Sequence, residues 1–83
     1  MTIDGFELTL HAQYQMQVRR ISPDWVAETL QNPERLVTDA DSAGNTHYLR
    51  RIEAAGNRWL RVVVNPMVSP KKIVTLFLDR RIK

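Results

Sequence analysis

The spacing of apolar residues changes at Asn32-Pro33, and that change decides the class of fold open to the chain. Before it, apolar side chains recur at helical intervals; after it they alternate, so helices precede strands. The spacing predicts a first helix over about 9–19, with Ala12 and Met16 on one stripe and Tyr14 and Val18 on a neighbouring one. A second helix, over about 22–31, carries its own start signal. Ser22 can cap it, Pro23 suits the first helical position and Asp24 complements the dipole. Trp25, Val26, Thr29 and Leu30 form its inward stripe, and Asn32-Pro33 ends it.

Four strands are expected beyond that point, over about 36–39, 46–53, 58–65 and 72–79. A turn at 41–45 separates the first two, a hairpin turn at 54–57 the next two, and a longer loop from Asn65 to Lys72 the last two. The expectation is an α+β domain in which two N-terminal helices pack on a four-stranded antiparallel meander. With a two-residue hairpin turn, Tyr48, Arg50 and Ile52 would share a face with Trp59, Arg61 and Val63. Such a face is aromatic and basic together, which suits nucleotides. The bland alternative is that helices or a partner cover it and the arginines only snorkel out.

Eighty-three residues leave room for one domain spanning 1–83. Apolar residues make up 43% and charged residues 25%, a globular rather than a disordered balance. Cysteine is absent, which excludes a disulfide framework, a thiolate zinc site and a thiol nucleophile. The N-terminus lacks a signal-like apolar run and no stretch approaches the ~20 apolar residues of a membrane span, so a cytoplasmic, membrane-free protein is expected. Metal-ligand spacing, a glycine-rich phosphate loop and a paired-carboxylate motif are also missing, and no cofactor is expected. The net charge is +3, but arginine far outnumbers lysine and the cations dominate the second half, whereas acids gather between Asp24 and Asp41. Guanidinium forks match phosphate, which favours nucleic acid or an acidic protein as partner; a merely solvated surface is the alternative.

The residues His11-Ala12, Met16, Arg19 and Ile21-Ser22, then Asn32-Pro33, Leu60-Arg61-Val62-Val63-Val64 and the ending Thr75-Leu76-Phe77-Leu78-Asp79-Arg80-Arg81 resemble a small bacterial family. It is the family called domain of unknown function 4258, and the resemblance runs from about Leu10 to Lys83. That family is similar to the barnase, colicin and RelE-like set of metal-independent ribonucleases, in which RNA lies across an antiparallel sheet backed by helices. The resemblance implies a RelE-like fold, a toxin-like activity on RNA such as ribosome-bound mRNA, and an acidic antitoxin as protein partner. One position departs from the pattern: where the family's helix commonly has an arginine four residues after its histidine, this chain has Gln15.

Metal-independent RNA cleavage through a 2′,3′-cyclic phosphate needs a base, an acid and cations for the phosphate. His11, Arg19 and Arg61 are the candidates for those parts. His11 and Arg19 lie two turns apart on one helical face, and Arg61 is expected to point outward from a central strand. Tyr48, Arg50, Trp59, Arg80 and Arg81 are the candidates for RNA binding, with His47 a reserve for acid–base work. Each has a plainer alternative: His11 as a packing or capping group, Arg19 as a partner of Asp24 or Glu28, Trp59 packed near Phe6, Arg80 and Arg81 in a solvated tail. Two further readings stand beside the ribonuclease. One is a non-catalytic RNA- or protein-binding module of the same fold; the other is a homo-oligomer, such as a homodimer, joined through an exposed sheet edge.

Overall fold

Thr9 opens the first helix, α1 (Leu10–Val18), by accepting the Ala12 N–H on its hydroxyl. The same hydroxyl donates to the Val74 carbonyl 3.1 Å away, tying the helix start to the sheet. α1 buries Ala12 and Met16, one turn apart. At its C-terminal end Arg20 adopts φ 55°, while the Ile21 N–H reaches back to the Met16 carbonyl and the Arg20 N–H to that of Gln17. This is a Schellman closure with arginine where glycine is usual, and the paired burial of Met16 and Ile21 completes it. The second helix, α2 (Pro23–Gln31), starts on the Ser22 cap, buries Val26, Thr29 and Leu30, and stops before Pro33.

In this computed structural model, which describes residues 1–40 and 44–82, both helices lie on one face of a single sheet. Its strands are β1 (Thr2–Ile3), β2 (Phe6–Leu8), β3 (Arg35–Thr38), β4 (Thr46–Ile52), β5 (Arg58–Asn65) and β6 (Lys72–Asp79). Their order across the sheet is β1-β2-β6-β5-β4-β3. The turn expected at 41–45 falls partly outside the described residues.

The α+β class holds, but the four-stranded antiparallel meander expected from the sequence does not. The sheet is six-stranded and mixed, because β1 and β2 form a hairpin and β2 then runs parallel to β6, with Leu8 opposite Ile73. Asp4 and Gly5 hold φ values of 53° and 81°, the two positive angles of a tight hairpin turn. The strands β3 to β6 are consecutive and antiparallel inside this larger sheet.

The expected pairing of faces also fails. The link between β4 and β5 is five residues, Glu53 to Asn57, containing a 3-10 turn at Glu53–Ala55 and Gly56 at φ 72°. Ile52 therefore faces Arg58, and Tyr48 faces Val62. An odd loop in place of an even one moves Tyr48, Arg50 and Ile52 to the helix-covered face. There Leu60, Val62, Val64, Ile73 and Leu76 make the floor of the core beneath Ala12, Met16 and Val26. No helix among the described residues is long and apolar enough to cross a membrane.

Candidate nucleic-acid interface

Strand alternation sends the other side chains of β3 to β6 to the face that carries no helix. Register puts Arg35, Leu49, Arg61 and Phe77 in one row, and Arg51, Trp59 and Asp79 in the next. A central position for Arg61 would be costly without partners, and the structure supplies two. Its Nε donates to Asp79 Oδ2 at 2.8 Å and its Nη1 lies 2.8 Å from His47 Nδ1. Arginine only donates, so Nδ1 accepts and the imidazole is the neutral form with its proton on Nε2. Nε2 is buried and lies 3.0 Å from Asp39 Oδ1, a close electrostatic contact without hydrogen-bond alignment.

Asp79 anchors this chain of groups. Its side chain is 1% exposed. The Arg81 side chain, donating to both carboxylate oxygens at 3.1 Å, holds the carboxyl well below the usual range despite burial, helped by the Arg81 N–H and by Arg61. The same contact raises the Arg81 guanidinium above its ordinary value, although that side chain is 79% exposed. Asp79 is thus held as an anion that orients two arginines rather than serving as a proton donor.

Beside it, an open groove of about 780 Å³ is lined by Val18 and Arg19 at the end of α1, Arg58 at the start of β5, and Phe77 through Arg81. Four arginines converge there from three parts of the chain: Arg19, Arg58, Arg80 and Arg81. Arg19 stands there as the C-cap of α1, and Gln15 accepts the Arg19 Nε–H at 2.9 Å. Gln15 therefore steers one of the groove's cations. Arg58 is held similarly, by the Ala55 carbonyl at 2.8 Å.

The sequence candidates are dispersed by this geometry. Arg19, Arg80 and Arg81 meet in the groove, and Arg61 reaches it through Asp79. His11 sits at the opposite end of α1 from Arg19, exposed, with Nε2 3.1 Å from the Thr75 hydroxyl. Thr75 opposes Val63 and stands two residues before Phe77, on the face from which Arg61 projects, but among the described residues no hydrogen bond joins His11 to Arg61, which is engaged by Asp79 and His47. Tyr48 packs on the core and meets Phe6 edge to face at 6.1 Å; Arg50 is bound to Glu28 at 3.1 Å and to the Asn32 carbonyl. Neither shares a surface with Trp59. Trp59 stays on the open face under the guanidiniums of Arg35 and Arg51, 4.7 and 5.5 Å from its ring. Arg51 in turn binds Glu34 at 2.7 Å and holds that carboxyl at about 2.

Asp79 and Arg58 were not among the sequence candidates, and His47 only as a reserve. Their signal was positional: once Arg61 is placed outward, correct register puts His47 and Asp79 on its face. No group of three or more His, Asp or Glu side chains that could hold a metal ion occurs among the described residues. Compared with known proteins, the chain finds no match among curated proteins and none among solved structures. One family's sequence profile does match, over residues 8–78, and the chain therefore belongs to the family described as Domain of unknown function (DUF4258).

Proposed function

We propose that this chain is an RNA-binding module that grips the phosphates of single-stranded RNA in the arginine groove, with the open sheet face beside it. The convergence of Arg19, Arg58, Arg80 and Arg81 on one open groove carries this reading. Guanidinium forks match phosphate oxygens, and the one acid in the lining, Asp79, is already paired. The half-buried Phe77 ring in the same groove offers a face on which a base can stack. Binding without cleavage is the leading form because the groove lining holds no histidine and the His47 nitrogens are both occupied or buried.

A second reading, a toxin-like endoribonuclease, is favoured by one observation: the exposed His11 ring beside the Thr75 hydroxyl is free of any carboxylate contact among the described residues. The family's resemblance to RelE-like ribonuclease toxins supports it. Binding to a single-stranded RNA oligomer across a salt series tests both. Arg80→Ala and Arg19→Ala are each expected to weaken binding several-fold and to lower the salt slope by about 0.7, with Lys71→Ala unchanged and the RNA intact. Absence of binding at low salt, or an equal loss from Lys71→Ala, refutes the groove. Products ending in a 2′,3′-cyclic phosphate, abolished by His11→Ala, would instead establish the nuclease.

A further inference from the structure

The two edges of the sheet are unequal. β1 is only two residues long, whereas β3 presents a four-residue edge, Arg35–Thr38, with Leu36 59% and Val37 48% exposed. Natural edges are usually blunted by shortness, by proline or by a bulge, because unpaired backbone groups template another strand. β3 is short and begins with a charge, Arg35, but it has neither proline nor a bulge within its span, and its pairing to β4 is unbroken from Arg35 to Thr38.

We propose that β3 pairs antiparallel with β3 of a second copy of this chain, about a two-fold axis at Val37. Backbone parity restricts the register. The Asp39 N–H donates to the Asn45 carbonyl at 2.8 Å, so Asp39 and Asn45 form a hydrogen-bonded pair. Alternation makes Val37 with His47, and Arg35 with Leu49, hydrogen-bonded pairs too; the N–H and C=O of Leu36 and Thr38 then point outward. Two such edges join only where outward residues oppose one another. With the axis at Val37, each Leu36 faces the Thr38 of its mate, and every outward group of both residues finds a partner.

Charge selects the same register. Arg35 then lies opposite Asp39 of the second copy, twice over, on the open face. Val37 meets its own mate as a close β-branched pair, and the two Leu36 side chains become diagonal neighbours on the helix side. A slip of two residues in either direction sets Arg35 against Val37, or Val37 against Asp39, and loses both ion pairs. The edge is thus complementary to itself in sequence, parity and charge, which is why a second copy is the occupant. The contact is short of the ~1,200 Å² of durable interfaces, so the dimer is weak and concentration-dependent.

The absence of cysteine makes the test direct. Val37→Cys is expected to form a covalent dimer under mild oxidation, since a non-hydrogen-bonded cross-strand pair has the Cα separation of a disulfide. Leu36→Cys, offset from its mate in this register, and Tyr14→Cys, exposed on α1, should cross-link roughly tenfold more slowly. Sedimentation of the unmodified chain should show a concentration-dependent dimer, lost in Thr38→Pro, which removes an outward N–H that β4 does not use. Val37→Cys cross-linking no faster than Tyr14→Cys, or Leu36→Cys outpacing it, overturns the register. A chain that stays monomeric at high concentration, even while β3 takes up an unrelated extended peptide, overturns the self-pairing.

Discussion

The two faces of the sheet are built from the same strands by opposite means. Under the helices, Leu60, Val62, Val64, Ile73 and Leu76 are fully buried, and cohesion comes from apolar area removed from water. On the other face, Asp39, His47, Arg61, Asp79 and Arg81 form a line of charged and polar contacts across β4, β5 and β6, while Trp59 is gripped by Arg35 and Arg51. Among the described residues the buried apolar side chains there are Leu49 and Val63, apart from the main cluster, beside the buried Asp79. One face therefore answers to volume and temperature, the other to charge, pH and salt. Stability rests chiefly on the first face, and the proposed RNA contacts lie beside the second.

Breaking the apolar face should have the largest effect. Leu60→Ala is expected to cost about 3 kcal/mol in denaturant unfolding, with little dependence on salt. Asp79→Asn should cost about 2 kcal/mol, because it leaves Arg61, only 17% exposed, short of a counter-charge. Its pH signature sharpens the distinction. The Asp79 carboxyl is depressed in the folded chain, so its contribution is complete above the ordinary aspartate value of ~3.9 and is lost as pH falls through the folded one. Acid unfolding curves of the natural chain should steepen below that point, and those of Asp79→Asn should flatten there. Glu34→Gln should leave the unfolding midpoint almost unchanged, since its contact with Arg51 lies at the surface. A cost for Glu34→Gln rivalling that of Leu60→Ala would erase the contrast between the faces.

Local signals carried well where the structure depends on neighbours in sequence. Ser22-Pro23-Asp24 marks the start of α2, and the alternation through Arg58–Asn65 and Lys72–Asp79 gives β5 and β6 residue for residue. The hairpin at Asp4-Gly5, between Thr2-Ile3 and Phe6-Leu8, was missed, and its docking beside β6 has no local signal, because parallel pairing across more than sixty residues leaves no local periodicity. Faces were lost to a single residue. The 3-10 turn makes the β4–β5 link odd, and that parity alone sends Tyr48 and Arg50 under the helices and brings His47 beside Arg61. Arg80 and Arg81 were named from charge, and Arg19 from the family pattern and its place on the helical face of His11; that they meet follows from where α1 and β6 end, which no spacing records.

The parallel contact of β2 with β6 has a consequence in time. During synthesis, residues 6–8 emerge long before residues 72–79, yet β6 is the strand that holds them. Until β6 is made, the start of α1 lacks the Val74 carbonyl that anchors Thr9, and the Leu8 side chain has no Ile73 beside it. The opening segment must therefore wait, and the sheet closes only when segments more than sixty residues apart meet. Pairing at such sequence separation favours slow closure of the sheet, and the groove beside β6 is complete only once β6 is in place.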